Sequence, residues 1–475
     1  MSELSFLTRS EIAEAHGKPG IARLQSREIE RTKGPPMSAS KTENMPKEPS
    51  RTRLIPHSVL IPFVLVTALF FLWGVPNNLN DVLIRQFMKS FALSRFQAGL
   101  VQSAFYMGYF VLATPAALLM RRFGYKSGFV IGLLLFSAGA FLFYPAAIIG
   151  RYPYFLAALF VIASGLSFLE TASNPFVAQI GDPESAARRL NFAQAFNPLG
   201  SIAGALAGTV FIFSGIELSG SQVAAMQAAH TYKDYLRAET MRVVAPYMIL
   251  GVITVLWAVL IAMTRFPVVA GEGHAAGESH GKFRELLGFP TFLFAVVAQF
   301  MYVGAQVGTW SYFIQYIQDS THQQEKIAGY LLTGTLGAFG IGRFGSSAIM
   351  RFVRPDRLMT LYSLINIGLV AIGVLFPGWV GLWAIFLTSF FMSVMYPTIF
   401  ALGIEGLGRN TKIGGSIIVM SIVGGGVLTP LMGWISQETH RISLAYGVPL
   451  ICYCVIAAYS LMWRRMQISE TTAPH

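Results

Sequence analysis

From about residue 58 to residue 463 the chain alternates long apolar runs with short polar gaps. A run of about 20 apolar residues, rising 1.5 Å each as a helix, crosses the ~30 Å hydrocarbon core of a bilayer. Twelve runs of that kind are predicted to be helices, over residues 58–86, 96–120, 127–148, 153–178, 190–214, 245–265, 290–317, 327–350, 358–377, 380–403, 412–436 and 443–463. Two gaps are longer than the rest. Residues 215–244 separate the fifth and sixth runs, and the Gly- and His-containing residues 266–289 divide the runs six and six. The predicted organisation is a polar leader over 1–55, a bundle over 56–265, a linker over 266–289, a second bundle over 290–465 and a tail over 466–475. The fold class is all-α integral membrane, with twelve transmembrane helices in two pseudo-symmetric six-helix bundles.

Internal repetition supports the division. MRRFGYKSGFVIGLLLFSAGAFLFYP at 120–145 resembles MRFVRPDRLMTLYSLINIGLVAIGVLFP at 350–377. NPFVAQIG at 174–181 resembles YPTIFALG at 396–403, and FNPLGSIAGALAG at 196–208 resembles VGGGVLTPLMGWI at 423–435. The three pairs occur in the same order, as a duplicated six-helix unit requires.

Composition agrees. The chain of 475 residues is 54% hydrophobic and 12% charged, against about 25% charged in a soluble domain. The net charge of +12 does not form a nucleic-acid patch, because the basic residues punctuate the gaps. Arg121, Arg122, Lys126, Arg188, Arg189, Arg351, Arg354, Arg357, Arg409 and Lys412 gather on the side of the termini. The positive-inside rule then places both termini and the linker in the cytoplasm. The first 50 residues lack an apolar core, so no cleavable signal peptide is expected. The two cysteines, Cys452 and Cys454, point in different directions on a helix and do not suit a disulfide or a metal site.

Polar residues inside the apolar runs are the candidate chemistry, since a charge at a span centre costs about 2.5–3.5 kcal/mol and is kept for a cavity or a function. Glu170, deep in the fourth run with no basic residue within a turn, suits a group that binds and releases a proton. Asp81 ends the first run in NNLNDVLIRQF beside Asn77 and Asn78, which lie on adjoining helix faces. An interfacial position or a pairing with Arg85 competes with a cavity role for Asp81. In the fifth run Asn191, Gln194 and Asn197 form a polar stripe that serves either a ligand or helix-to-helix hydrogen bonding. Gln299, Gln306, Trp310 and Gln315 in the seventh run and Tyr396 in the tenth add amides and aromatic faces, the chemistry that holds a sugar. No nucleotide loop, nucleophile elbow or metal motif stands in the right context, which argues against an enzyme and for transport driven by an ion gradient.

FFLWGVPNNLNDVLIRQF, FQAGLVQSAFYMGYF, LETASNPFVAQIG, RLNFAQAFN, AQFMYVGAQVGTWSYFIQY, LTGTLGAFGIGR, YPTIFALGIEGLGRNTK and IVMSIVGGGVLTPLMGWIS resemble the L-fucose:proton symporter family of the major facilitator superfamily, over residues 58–463. The resemblance implies alternating access and import of a monosaccharide, L-fucose or a related hexose, driven by the proton gradient without a cofactor. It further implies a monomer in a bacterial inner membrane. Glucose, galactose or N-acetylglucosamine import and proton-driven export of a sugar or drug are the alternatives. It assigns Glu170 and Asp81 to proton coupling. It places Asn78, Gln194, Asn197, Tyr396, Trp310 and Gln306 around the substrate. Two departures, Pro76 and the pair Gly308-Thr309, are expected to widen the pocket. Ala117 and Arg121 depart from the superfamily's basic loop signature.

Overall fold

The computed structural model describes residues 59–181, 186–267, 283–350, 352–407 and 410–472. The leader, residues 268–282 of the linker and the end of the tail lie outside the described residues. Among the described residues, eleven helices are long and apolar enough to cross a membrane. We number the spans α1 Leu60–Phe91, α2 Arg95–Met120, α3 Arg122–Ile149, α4 Tyr152–Gln179, α5 Phe192–Ile212, α6 Tyr232–Met263, α7 Pro290–Ser311, α8 Glu325–Ile349, α9 Pro355–Leu375, α10 Trp379–Ile404, α11 Gly414–Thr439 and α12 Ile442–Trp463. Helix α8 has the length of a span but is outside the apolar eleven, because it carries Glu325, Lys326, Arg343 and several glycines. No strand occurs among the described residues. All backbone pairing is therefore internal to helices, the condition for crossing hydrocarbon.

The long gap after α5 is structured. Ser219 and Gln222 close a capping box on the helix Gly220–Ala228, and Tyr232–Met241 runs on into α6. Several span boundaries move by a few residues from the hydropathy reading. The largest shift is α6, which starts at Tyr232 because its first turns are polar and invisible to an apolar count.

Helix contacts repeat with a shift of six. In the N-terminal half α1 packs on α5, α2 and α3 on α4, and α3 on α6. In the C-terminal half α7 packs on α11, α8 on α10, and α9 on α10 and α12. The halves meet through α2 on α11 and α5 on α8, which is again one contact and its six-shifted copy. A duplicated unit related by a pseudo-twofold gives this pattern.

Two corresponding crossings depend on glycine. A Cβ at Gly200 of α5 would lie 2.1 Å from the Phe71 carbonyl oxygen of α1, and one at Gly204 2.2 Å from that of Val75. On the other side a Cβ at Gly424 of α11 would lie 2.1 Å from the Phe300 carbonyl oxygen of α7. Small residues let membrane helices approach closely enough for dispersion to hold them without a hydrophobic drive. The same two helices are interrupted at corresponding places. α5 has a break at Ala195, and α11 passes through a short 3₁₀ turn over Ser421–Val423.

The outward faces are apolar. On α6, Ile249, Val252, Leu256 and Val259 are all exposed and follow a helical spacing.

Gly200→Ala is expected to lower stability by about 1–3 kcal/mol through forced separation of α1 and α5. Gly337→Ala, where a Cβ meets nothing within 4 Å, serves as the neutral comparison. Thermal unfolding in detergent reads both, and equal melting temperatures would refute the close-packing account.

Candidate functional site

The two membrane carboxyls sit at different depths. Asp81 is ten residues before the end of α1 and Glu170 eighteen residues after the start of α4, both counted from the face opposite the termini. At ~1.5 Å per residue these are about 15 Å and about 27 Å from that face. Between them lies the interface of the two halves.

Asp81 is buried, 2% exposed, which excludes the interfacial position. Nor does it pair with Arg85, whose guanidinium reaches Glu217 at 3.8 Å instead. Its Oδ1 accepts from Gln102 Nε2 of α2 at 2.9 Å and from Ser311 Oγ of α7 at 2.8 Å. Its Oδ2 accepts from Asn78 Nδ2 at 3.1 Å, and Gln102 Nε2 also donates to Ser311 Oγ at 2.9 Å. Three helices from two halves thus converge on one carboxyl. Asn80 points elsewhere, accepting from Tyr247 of α6 at 3.4 Å. The amides of NNLND therefore divide between a helix contact, made by Asn80, and the Asp81 centre, joined by Asn78.

Glu170 is only half-buried. Tyr106 and Tyr109 of α2 and Tyr396 of α10 lie within electrostatic reach of its carboxyl. Tyr106 is in reach of Asp81 as well, which links the two depths. In the C-terminal half Arg343 of α8 is half-buried and within electrostatic reach of Tyr302 and Tyr396, the second of which it shares with Glu170. The Tyr302 and Tyr396 rings meet edge to face with centroids 6.2 Å apart. Arg343 was missed by the sequence reading. A lone arginine in LTGTLGAFGIGR, well inside a span, was the available signal. Gln102 and Ser311 were missed too, because a single uncharged polar residue in an apolar run is ordinary.

The amides behave in two ways. Gln194 Nε2 donates to Asn174 Oδ1 at 3.2 Å and Asn197 Nδ2 to the Phe70 carbonyl at 3.3 Å. Both side chains remain half-buried and flank the break at Ala195. They tie α5 to α4 and α1, and Asn174, the partner of Gln194, in turn donates to the Glu170 carbonyl at 3.2 Å. The Asn191 side chain lies outside the described residues. Gln306 is half-buried on α7. Gln299 is fully buried with neither amide atom partnered, and Gln315 donates to Met88 Sδ of α1 at 3.6 Å. Trp310 has its indole N–H bonded to Ser389 Oγ at 3.0 Å and its ring against Phe339 at 5.2 Å. It is 8% exposed, so what it offers a ligand is a fixed aromatic surface rather than a donor. Gly308 does not widen a pocket. A Cβ there would lie 2.4 Å from Met432 Sδ, so the small residue serves the contact of α7 with α11.

A family model described as Major Facilitator Superfamily matches residues 59–411. The L-fucose-proton symporter of Escherichia coli strain K12 is 44% identical over 408 residues, covering 85% of this chain and 93% of that protein. The chain belongs to the L-fucose:proton symporter family of the major facilitator superfamily. That membership makes it a transporter and not an enzyme. The Glucose/galactose transporter of Brucella abortus strain 2308 is 35% identical over 403 residues, 84% of this chain and 92% of that one. The crystal structure of FucP, a major facilitator transporter, in the outward conformation superposes with a TM-score of 0.65 at 42% identity, over 86% of this chain and 99% of that chain. An inward-facing bacterial homologue of the lysosomal transporter Spinster, at 16% identity, shares the fold with a TM-score of 0.65 over 87% of this chain and 98% of that one.

Asp81→Asn turns an acceptor of three donors into an amide that opposes some of them. The expected loss is about 1.5–3 kcal/mol, the range for hydrogen bonds to a charged group, against about 0.5–1.5 kcal/mol for Ser311→Ala. Thermal unfolding of both variants tests this. A larger loss in Ser311→Ala would make the serine, not the carboxyl, the centre of the contact.

Proposed function

We propose that this chain imports a monosaccharide, L-fucose or a closely related hexose, by proton symport through alternating access. The observation that carries the reading is the position of Glu170. It is a half-buried carboxyl within electrostatic reach of tyrosines from both halves, Tyr106 and Tyr109 on one side and Tyr396 on the other, and Tyr396 is also in reach of Arg343. The proton gradient drives the cycle and no cofactor takes part. A single chain supplies both halves of the site, so the working unit is a monomer. Lipid covers the apolar outward faces of a bacterial inner membrane.

Polar contacts between described residues of the two halves gather on the face opposite the termini. Arg95 bonds Asp319 and, at 2.6 Å, Ser436, and Tyr312 OH donates to the Arg95 carbonyl at 2.7 Å. Ser103 Oγ donates to the Gly426 carbonyl at 2.6 Å. With the termini cytoplasmic, this is the state closed to the outside and open to the cytoplasm, from which sugar and proton leave. The carboxyl must bind a proton outside and release it here, and sugar hydroxyls on Gln194, Asn197, Asn78 and Gln306 couple the two events. Binding of each partner then raises the affinity for the other equally.

Glu170→Gln imitates the protonated carboxyl. In proteoliposomes it is expected to keep sugar counterflow and to lose accumulation driven by an inward pH gradient. Normal accumulation by this variant would remove Glu170 as the proton carrier and leave Asp81. The same assay with L-fucose, galactose, glucose and N-acetylglucosamine decides between the two sugar readings, the second favoured by the Brucella relative.

Orientation is tested separately. A cysteine at Ser279 in the linker is expected to react only with reagent on the cytoplasmic side, and one at Val223 only from outside. The reverse pattern would invert the assignment and make the described state outward-open.

A further inference from the structure

The closed face holds a charge cluster that the sugar site does not use. Lys89 of α1 has three acceptors around its ammonium: Ser214 Oγ at 2.8 Å, Glu325 Oε1 at 3.1 Å and Glu239 Oε2 at 3.2 Å. An ammonium has three donors, so Lys89 is saturated. Ser214 and Glu239 belong to the same half as Lys89, and Glu325 opens α8 in the other half. Gln86 Nε2 fixes Glu239 by donating to its Oε2 at 3.0 Å and to its carbonyl at 2.8 Å.

The contacts of Glu325 are one-sided. Its side chain is fully buried. Oε1 accepts from Lys89 and, at 3.1 Å, from the Gly215 N–H, while Oε2 has no partner. Both partners of this carboxylate lie in the N-terminal half, although the residue itself belongs to the C-terminal half. Around them, the Glu325 N–H donates to Glu217 Oε1 at 2.9 Å, Arg85 reaches Glu217, Tyr235 lies under Lys89 at 5.9 Å, and the Lys326 stem packs on Gly215.

Opening this face must therefore strip Glu325 of its partners, whereas Lys89 keeps Ser214 and Glu239. A buried charge left without its partner is costly, so the cost of opening falls on the glutamate. A cavity of about 370 Å³ lined by Arg85, Met88, Lys89, Glu217, Tyr232 and Tyr235 adjoins the cluster on the side of Lys89, and Glu325 is not among its lining residues. We propose that Lys89 is a positioning residue of the transport cycle, a cation divided between Glu239 and Glu325 whose division sets how firmly the outer face is shut. This rests on the alternating-access reading, and it assigns the two carboxylates opposite effects.

Glu325→Gln keeps an acceptor for Gly215 but removes the charge that opening would orphan, so it favours the outward-open form. Glu239→Gln leaves Lys89 with one carboxylate, across the interface, and so favours the closed form. The readout is a cysteine at Ser103, about 12 Å below the outer face by helix rise, in a chain with Cys452→Ser and Cys454→Ser. An impermeant maleimide is added from the face opposite the termini, without sugar or a pH gradient. Labelling is expected to rise roughly tenfold in Glu325→Gln, equivalent to ~1.4 kcal/mol of shifted equilibrium, and to fall by a similar factor in Glu239→Gln. Glu325→Asp, too short to keep the contact intact, is expected in between and replaces Glu325→Gln if that variant does not fold. Changes of the same sign in both glutamines, or unchanged rates, would overturn the proposal. Because labelling needs no transport, a failure here leaves the Glu170 result standing, and a failure of that result leaves this one.

Discussion

Hydrocarbon offers a polar group no partner, and the rest of this structure follows from how that constraint is met. The backbone meets it by being helical from one face to the other. The polar side chains meet it in one of two ways. They pair inside the protein, or they border a space that water can enter. Pairs made within one half are permanent. Pairs made across the interface hold only while the halves are in this arrangement.

That distinction separates the two depths of the site. Toward the face opposite the termini charged groups are held by several partners each: Asp81 takes three donors, Lys89 meets three acceptors, and Arg95 joins Asp319 and Ser436. Toward the face of the termini, Glu170 and Arg343 are half-buried and surrounded by neutral phenols. A carboxyl among neutral neighbours gains or loses a proton according to what enters beside it. One held by three donors in a dry contact does so only when the contact opens. In the proposed cycle Glu170 thus answers to the ligand and Asp81 to the movement of the halves.

The movement itself is permitted by the packing. Gly200, Gly204 and Gly424 bring α5 and α11 against α1 and α7 closely enough to make each half a firm body. Across the interface, α2 and α11, and α5 and α8, meet through fewer polar groups and small residues such as Gly329 and Gly426. The breaks at Ala195 in α5 and over Ser421–Val423 in α11 occupy equivalent places in the two halves, beside the amides of the site. Discontinuous helices at matching positions are how this kind of fold builds a ligand site at mid-membrane.

The sequence by itself determined the class of fold, and it pointed to a six-plus-six division and to Glu170 and Asp81 as candidate groups. Hydropathy, duplication and the cost of buried charge are local or periodic properties, readable without knowing which helices touch. It also showed the amides of α5, although not their partners, which are Asn174 for Gln194 and the Phe70 carbonyl for Asn197. Only the tertiary structure decided the pairings. Asp81 binds Gln102 and Ser311 rather than the nearby Arg85, Trp310 spends its N–H on Ser389, and Gly308 yields space to Met432 rather than to a ligand. It also brought Glu170 and Arg343 within reach of one tyrosine, Tyr396, and set Glu325 against Lys89, 236 positions away in the chain. A side chain's partner in a membrane bundle is set by which helices pack and how they are turned, and that is a property of the whole assembly, not of any window of residues.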